Sequence, residues 1–188
     1  MKNRLFSITI FTVFLASCVF GQQQPSRDVS KETARSSQDW VRDAVIYQIW
    51  ERAYSQKGDF NSITADLDRI KNLGVDVLWL MPVHPIGQVK KKGSIGSPYA
   101  VRDYYGVNPD YGTPSDLKRL VAEAHKRGLK VIIDVVVNHT AWDNKLITEH
   151  PEFYKKNDKG EIIPPVPDWA DVAGLDYEKP AVRRYIIE

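Results

Sequence analysis

The chain contains 188 residues, of which 43% are hydrophobic and 27% are charged, and its formal net charge is +2 at pH 7. This is the composition of an ordinary globular chain, long enough for one modest domain or for part of a larger one. The near-neutral balance gives no argument for a nucleic-acid partner, and we interpret the lysine run Lys90–Lys92 as a solvated loop.

The first 21 residues have the pattern of an export signal. Lys2 and Arg4 make a positive start, and the uncharged run LFSITIFTVFLA follows, which is too short to span a bilayer comfortably. Cys18, the only cysteine, stands in LASC, which resembles the bacterial lipobox in which this cysteine is lipidated. Ordinary cleavage after Val19–Gly21 and a retained membrane anchor are the alternatives. We therefore expect an exported protein, whether periplasmic, an outer-membrane lipoprotein or secreted, with membrane contact only through a lipid.

Strand and helix patterns alternate in residues 40–188, after a polar stretch at 22–39 that we predict to be a flexible linker. Strands are predicted for three apolar runs, Ala44–Trp50, Val75–Met81 and Lys130–Val137. Helices are predicted for two segments with apolar residues at helical spacing, Ser62–Leu73 and Pro114–Arg127. Thr113 is the expected N-cap of the second helix, and Gly74 and Gly128 are the expected stops. Because the strands are apolar on both faces, the pattern predicts a parallel α/β sheet of right-handed βαβ units.

Two predicted loops are much longer than the usual few residues, and both follow the C-terminal end of a strand. They run from Met81 to Gly112 and from Asn138 to about Tyr177, whereas the loops before the strands are short. Parallel α/β folds place their sites at this end of the sheet. The long loops are rich in aromatic residues, amides and acids, which suit the apolar faces and hydroxyl edges of sugar rings. The alternative is that most of these rings only pack the loops against the sheet.

The third predicted strand ends in polar groups, with Asp134, three valines, and then Asn138 and His139. This Asp-x-x-x-Asn-His pattern resembles the first signature region of the α-amylase superfamily. Three further segments resemble the first strand, the second strand and the following loop of that family. They are VIYQIWERAYSQKGDF, LGVDVLWLMPVHP and GSPYAVRDYYGVNPDYGT. The resemblance covers nearly all of Asp43–Glu188, with the motifs in the family's order.

The resemblance implies the N-terminal portion of a TIM (β/α)8 barrel over residues 40–188, with a long loop or small insertion domain at 138–178 after strand three. It implies a retaining glycoside hydrolase that acts on an α-glucan such as starch or a maltooligosaccharide, and the N-terminal signal implies that this enzyme is exported. The stretch PAVRRYIIE resembles the helix before the fourth barrel strand. The family's aspartate nucleophile and glutamate acid are therefore expected beyond Glu188, and this fragment is expected to be inactive on its own.

Site roles follow from the resemblance residue by residue. His139 is expected to hydrogen-bond the sugar at the cleaved bond, and Tyr99 is expected to stack on that ring. Asp134 is expected to be a buried supporting acid, and Asp103 a structural residue at the base of the second loop. Asn138 is expected to support its loop, and in many relatives it ligates a structural calcium ion. The segment ERAYSQKGD lacks the acid-rich ligand run that some relatives carry.

Two other functions are compatible with the same motifs. A transglycosidase or a trehalose-forming relative shares these early segments with the hydrolases. A non-catalytic glucan-binding protein that kept half of the fold is the second alternative, although half a barrel leaves open strand edges and an uncovered apolar face. Product analysis on starch, pullulan, cyclodextrin and maltose would separate a hydrolase from a transglycosidase.

Overall fold

The structure is a computed structural model that describes residues 29–188. The predicted export signal, Cys18 and the first part of the predicted linker lie outside the described residues. The chain divides into a first unit that ends at Ser37 and a second unit, Gln38–Glu188. The described part of the first unit contains one 3-10 turn, Val29–Lys31. From residue 29 onward, no helix is both long enough and apolar enough to cross a membrane.

The second unit is built around a sheet of three parallel strands with β2 in the centre. These strands are β1 (Ile46–Ile49), β2 (Val77–Leu80) and β3 (Lys130–Ile133). The helices are α1 (Trp40–Asp43), α2 (Glu51–Tyr54), α3 (Phe60–Ala65), α4 (Leu67–Asn72), α5 (Pro114–Lys126), α6 (Leu146–Glu149) and α7 (Pro180–Ile187). The parallel order with helical crossovers confirms the α/β sheet that the sequence predicts.

One face of this sheet packs against the helices and forms the main core. Alternation along the strands places Leu78 and Leu80 of β2 on this face, together with Ile49 of β1. The buried helix residues that meet them are Phe60, Ile63, Leu67, Ile70, Leu120 and Ala124. The other face carries Ile46 and Ile132, and both side chains are exposed.

Helix α5 begins and ends as the sequence predicts. The Thr113 hydroxyl accepts a hydrogen bond from the Asp116 amide, and the Asp116 carboxylate accepts one from the Thr113 amide. This reciprocal capping box satisfies two backbone donors that a helix start otherwise leaves free. Gly128 has a φ of 72° and Gly74 a φ of 84°, the left-handed conformation that ends a helix at low cost for glycine.

Two predicted elements have different bounds in the structure. The third strand was predicted to reach Val137, but its pairing ends at Ile133, and the Asp134 amide makes a last bond of 2.9 Å to the Leu80 carbonyl. The reason is that β2 itself ends at Leu80, so the residues after Asp134 have no partner strand there. The predicted helix Ser62–Leu73 is two helices divided at Asp66, whose carboxylate binds Arg69 and Tyr54.

The long segment after β3 has a small sheet and a hydrophobic cluster of its own. Strands β4 (His139–Ala141) and β5 (Val172–Gly174) are antiparallel, with His139 opposite Gly174. The buried residues of this cluster are Leu146, Phe153, Tyr154, Ala173, Leu175 and Val182. The sequence predicted a long loop or small insertion domain at 138–178, and those bounds stay a prediction.

Candidate active site

A cavity of about 430 Å³ lies between the long segments that follow β2 and β3. Both segments leave the C-terminal ends of their strands, which is the end of a parallel sheet where sites are expected. The lining residues are Lys92, Ser97, Tyr99, His139, Trp169, Asp171 and Val172. Its wall therefore combines aromatic rings with hydroxyl, imidazole, ammonium and carboxylate groups.

Tyr99 is attached to the end of the third strand by its hydroxyl group. That hydroxyl donates a hydrogen bond of 2.9 Å to Asp134 Oδ2, and the Tyr99 amide donates one of 3.2 Å to Ser97 Oγ. Partial burial raises the pKa of the Tyr99 phenol, and the hydrogen bond to the Asp134 carboxylate raises it further. Tyr99 is therefore a neutral donor that orients its ring, and Asp134 is the acceptor that holds it.

His139 is nearly buried, with 7% of its surface exposed. Its Nε2 donates to the Tyr99 carbonyl at 3.1 Å, and its Nδ1 accepts from the Asn138 amide nitrogen at 3.2 Å. Burial lowers the pKa of the imidazole, although the bond to Tyr99 and the charge of Asp171 oppose that change. A carbonyl only accepts, so the proton lies on Nε2 of a neutral ring. A sugar hydroxyl would share that proton with the carbonyl or take its place.

The structure brings four of the five predicted site residues together. Hydrogen bonds connect Asp134 to Tyr99, Tyr99 to His139, and His139 to Asn138. Asp103 lies apart from this chain of contacts and does not line the cavity. Its Oδ1 accepts a bond of 2.9 Å from the Tyr105 amide within its own loop. The roles of these residues toward a sugar stay predictions.

Asn138 does not by itself supply a calcium site. Its amide nitrogen faces His139, and its side chain is exposed. Calcium takes six to eight oxygen ligands and usually needs several carboxylates. Across residues 29–188, no group of three or more His, Cys, Asp or Glu side chains converges in a way that could hold a metal ion. Calcium therefore stays a prediction from the family resemblance.

Sequence reasoning missed the residues that connect the two long segments. Lys92 Nζ donates to the Asp168 carbonyl at 2.7 Å and lies 3.3 Å from Asp171 Oδ1. Lys90 Nζ lies 3.7 Å from the centre of the Trp142 ring. Lys90 and Lys92 are thus exposed, as a solvated loop implies, and in addition they make tertiary contacts that the sequence did not suggest. No local signal could reveal them, because Lys92 and Asp168 are 76 residues apart in sequence.

Residues 27–170 match the model of the alpha-amylase catalytic domain. The chain belongs to the alpha-amylase family. It is 44% identical over 115 residues to trehalose-6-phosphate hydrolase of Bacillus subtilis, which is 58% of this chain and 19% of that protein. It is 36% identical over 158 residues to alpha-amylase 3 of Dictyoglomus thermophilum, which is 81% of this chain and 26% of that protein.

A crystal structure of an alpha-amylase from Lactobacillus plantarum matches with a TM-score of 0.77 and 49% identity. The match covers 80% of this chain and 36% of that chain. The chain therefore spans about a fifth to a third of the length of these family members. Its relatives are glycosidases, and the family's catalytic domain implies a TIM barrel. The structure itself shows three parallel strands, β1, β2 and β3.

Proposed function

We propose that this chain is the N-terminal, sugar-holding part of a retaining glycosidase that acts on a neutral α-glucan. The observation that carries the proposal is the hydrogen-bonded series Asp134–Tyr99–His139, in which Tyr99 and His139 line the cavity. It presents an aromatic face beside a neutral imidazole, and both are fixed by partners in the protein. Such a surface suits a sugar ring, which has an apolar face and hydroxyl groups at its edge.

The charges of the cavity favour a neutral sugar over a phosphorylated one. Of the lining residues, Lys92 is the one cation with a permanent charge, and its ammonium is paired with the Asp171 carboxylate at 3.3 Å. A phosphate group is bound well where unpaired Lys or Arg groups converge. We therefore infer a maltooligosaccharide or starch as the substrate, although one relative is named for trehalose 6-phosphate.

Neither acid near the cavity is assigned the bond-breaking role. Asp134 accepts from Tyr99 and Asp171 is paired with Lys92, so both act as supporting groups. Retaining glycoside hydrolysis needs a nucleophile and a proton donor about 5–5.5 Å apart. We infer that this pair lies outside the chain, so that the 188 residues bind sugar without cleaving it. Export, directed by the first 21 residues, is part of the same proposal.

Two preparations test the proposal, the 188-residue chain and the protein expressed from its complete gene. We expect the complete protein to release sugars from starch or maltoheptaose with retention of the anomeric configuration, and to leave trehalose 6-phosphate intact. The isolated chain should release none. In the active protein, His139→Ala should lower kcat by about a hundredfold, which is the scale of losing one donor to the transition state.

Several results would contradict the proposal. Starch hydrolysis by the isolated chain would place the catalytic carboxylates within it. A preference for the phosphorylated disaccharide would overturn the assignment of a neutral substrate. Transfer products instead of hydrolysis products would identify a transglycosidase.

A further inference from the structure

Trp169 is held against the cavity in an arrangement unlike that of a packing residue. Its side chain is 47% exposed, lines the cavity, and meets the His139 ring edge-to-face with centroids 5.6 Å apart. Its backbone is fixed on both sides, because its amide donates to the Val166 carbonyl and its carbonyl accepts from the Val172 amide. Within the described part of the chain, no hydrogen bond engages its indole N–H, so the group is available to an oxygen acceptor.

Trp142, in the same segment, shows the contrast with a structural tryptophan. Its indole Nε1 donates to the Ala170 carbonyl at 2.9 Å, and Lys90 covers its ring. Both polar and apolar parts of Trp142 are therefore occupied by the protein, and it does not line the cavity. Trp169 has its ring and its N–H open, which is what an aromatic group that receives a ligand requires.

The turn that carries Trp169 is held from the opposite segment by one side chain. Lys92 donates to the carbonyl of Asp168, the residue before Trp169, and pairs with Asp171, two residues after it. Asp171 is buried while Lys92 is about half exposed, so the acid is the fixed end of the pair. Lys92 thus contacts the turn before and after Trp169, and these contacts hold the Trp169 ring in place relative to Tyr99 and His139.

We propose that Trp169 is a second sugar-binding platform of the cavity and that Lys92 is the positioning residue that keeps it there. The inference rests on the proposed function and deepens it, because it assigns a second sugar unit of a neutral glucan to the Trp169 ring. The flat indole face covers the C–H face of that unit, and the free N–H donates to one of its hydroxyls. The two platforms favour an oligosaccharide over a single sugar.

The platform is tested by calorimetric titration of the full chain with maltoheptaose. Trp169→Ala should weaken binding about tenfold, the factor expected when one well-packed aromatic contact is lost. Trp169→Phe should weaken it only a few-fold, because the flat face remains and only the N–H is lost. Binding of glucose should be unchanged in both variants. Equal affinity of Trp169→Ala and the wild type for maltoheptaose would overturn the platform.

The positioning role is tested without any sugar, by acrylamide quenching of tryptophan fluorescence. The chain has five tryptophans, so the Trp169 signal is taken as the difference between a protein with Trp169 and its Trp169→Phe counterpart. Lys92→Met and Asp171→Asn should each raise quenching of that signal at least twofold, and Lys92→Arg should restore it. Lys91→Met is the matched control, because among residues 29–188 Lys91 Nζ donates its hydrogen bond to Gln88 in its own loop.

Failure of the proposed function and failure of the positioning role of Lys92 give different results. If the wild type binds no maltoheptaose, the proposed function fails and the platform fails with it, while quenching still decides the role of Lys92. If Lys92→Met leaves Trp169 quenched as in the wild type, with unchanged far-UV dichroism, the positioning role is overturned. If Lys92→Met loses its secondary structure, Asp171→Asn decides the same question from the other side of the ion pair.

Discussion

The two faces of the three-stranded sheet are covered to different extents. On the helix-covered face, Leu78 and Leu80 are 0% exposed. On the other face, Ile46 is 54% exposed and Ile132 is 43% exposed, with the half-buried Trp79 beside Ile132 in the sheet register. Val77, which pairs with Ile46 on the same face, is 1% exposed, so residues 29–188 cover this second face only in part.

This difference shows that apolar residues along a strand predict burial of their side chains, but do not say which other element packs against them. In the barrel of this family, the inner faces of the strands fill the interior against one another. The described residues form three parallel strands, and the exposed side chains on their less covered face include Ile46 and Ile132. Apolar surface that stays exposed to water favours association with another protein molecule.

The largest expected effect separates the two faces directly. Leu80→Ala on the covered face should reduce the free energy of unfolding by about 2–5 kcal/mol, because it leaves a cavity in a packed core. Ile132→Ala on the open face should cost less than about 1 kcal/mol, because water already reaches the side chain. Urea unfolding of both variants and the wild-type chain measures the difference. Equal losses would show that a second copy or another segment covers the open face in solution.

A smaller effect follows from Glu51, which is buried directly after β1 and whose two carboxylate oxygens have no hydrogen-bond partner in the described part of the chain. Burial raises the pKa of Glu51 from 4.5 to about 8. Between these values the folded chain keeps a proton that the unfolded chain has lost, so the free energy of unfolding falls as the pH rises. We expect a loss of about 2 kcal/mol between pH 6 and pH 8.

Glu51→Gln removes this titration. The free energy of unfolding should then change between pH 6 and pH 8 only through the titration of other groups in the chain. Urea midpoints at half-unit pH steps measure it for both proteins. Parallel profiles of Glu51→Gln and the wild type would show that the carboxyl group is not the source of the slope.

Helix α5, which packs on the covered face of the sheet, can be destabilised at its exposed N-cap residue Thr113. Thr113→Ala removes one half of the capping box of α5 and should cost about 1 kcal/mol. Thr113→Ser keeps the hydroxyl and should stay near the wild type. Thermal unfolding followed by circular dichroism measures both. A loss as large for the serine variant would mean that packing, and not the cap, explains the role of Thr113.

The smallest effect on stability is expected on the open face, where the readout is association. Ile46→Thr combined with Ile132→Thr should change the free energy of unfolding by about 1 kcal/mol or less. The same pair should reduce binding of an apolar dye and lower the self-association seen by light scattering, because less apolar surface meets water. Unchanged dye binding would place the apolar surface elsewhere.

Local sequence determined the elements whose causes are local. The spacing of apolar residues predicted β1, β2 and α5, and Thr113, Gly74 and Gly128 marked helix ends because capping involves only neighbouring residues. The Asp-x-x-x-Asn-His pattern singled out Asp134, Asn138 and His139, and hydrogen bonds connect Asp134 to Tyr99, Tyr99 to His139 and His139 to Asn138. Their roles toward a sugar stay predictions.

Tertiary structure alone decided where elements stop and what meets across the loops. Strand β3 ends at Ile133 because its neighbour β2 ends, although three more valines follow Asp134 in the sequence. Lys92 meets Asp171 across the cavity, and that pairing depends on how two long segments fold over the sheet. Contacts between residues far apart in the chain leave no local pattern. The sequence by itself therefore determined the strands and singled out Tyr99 and His139, while the tertiary structure decided that Lys92, Trp169 and Asp171 join them at the cavity.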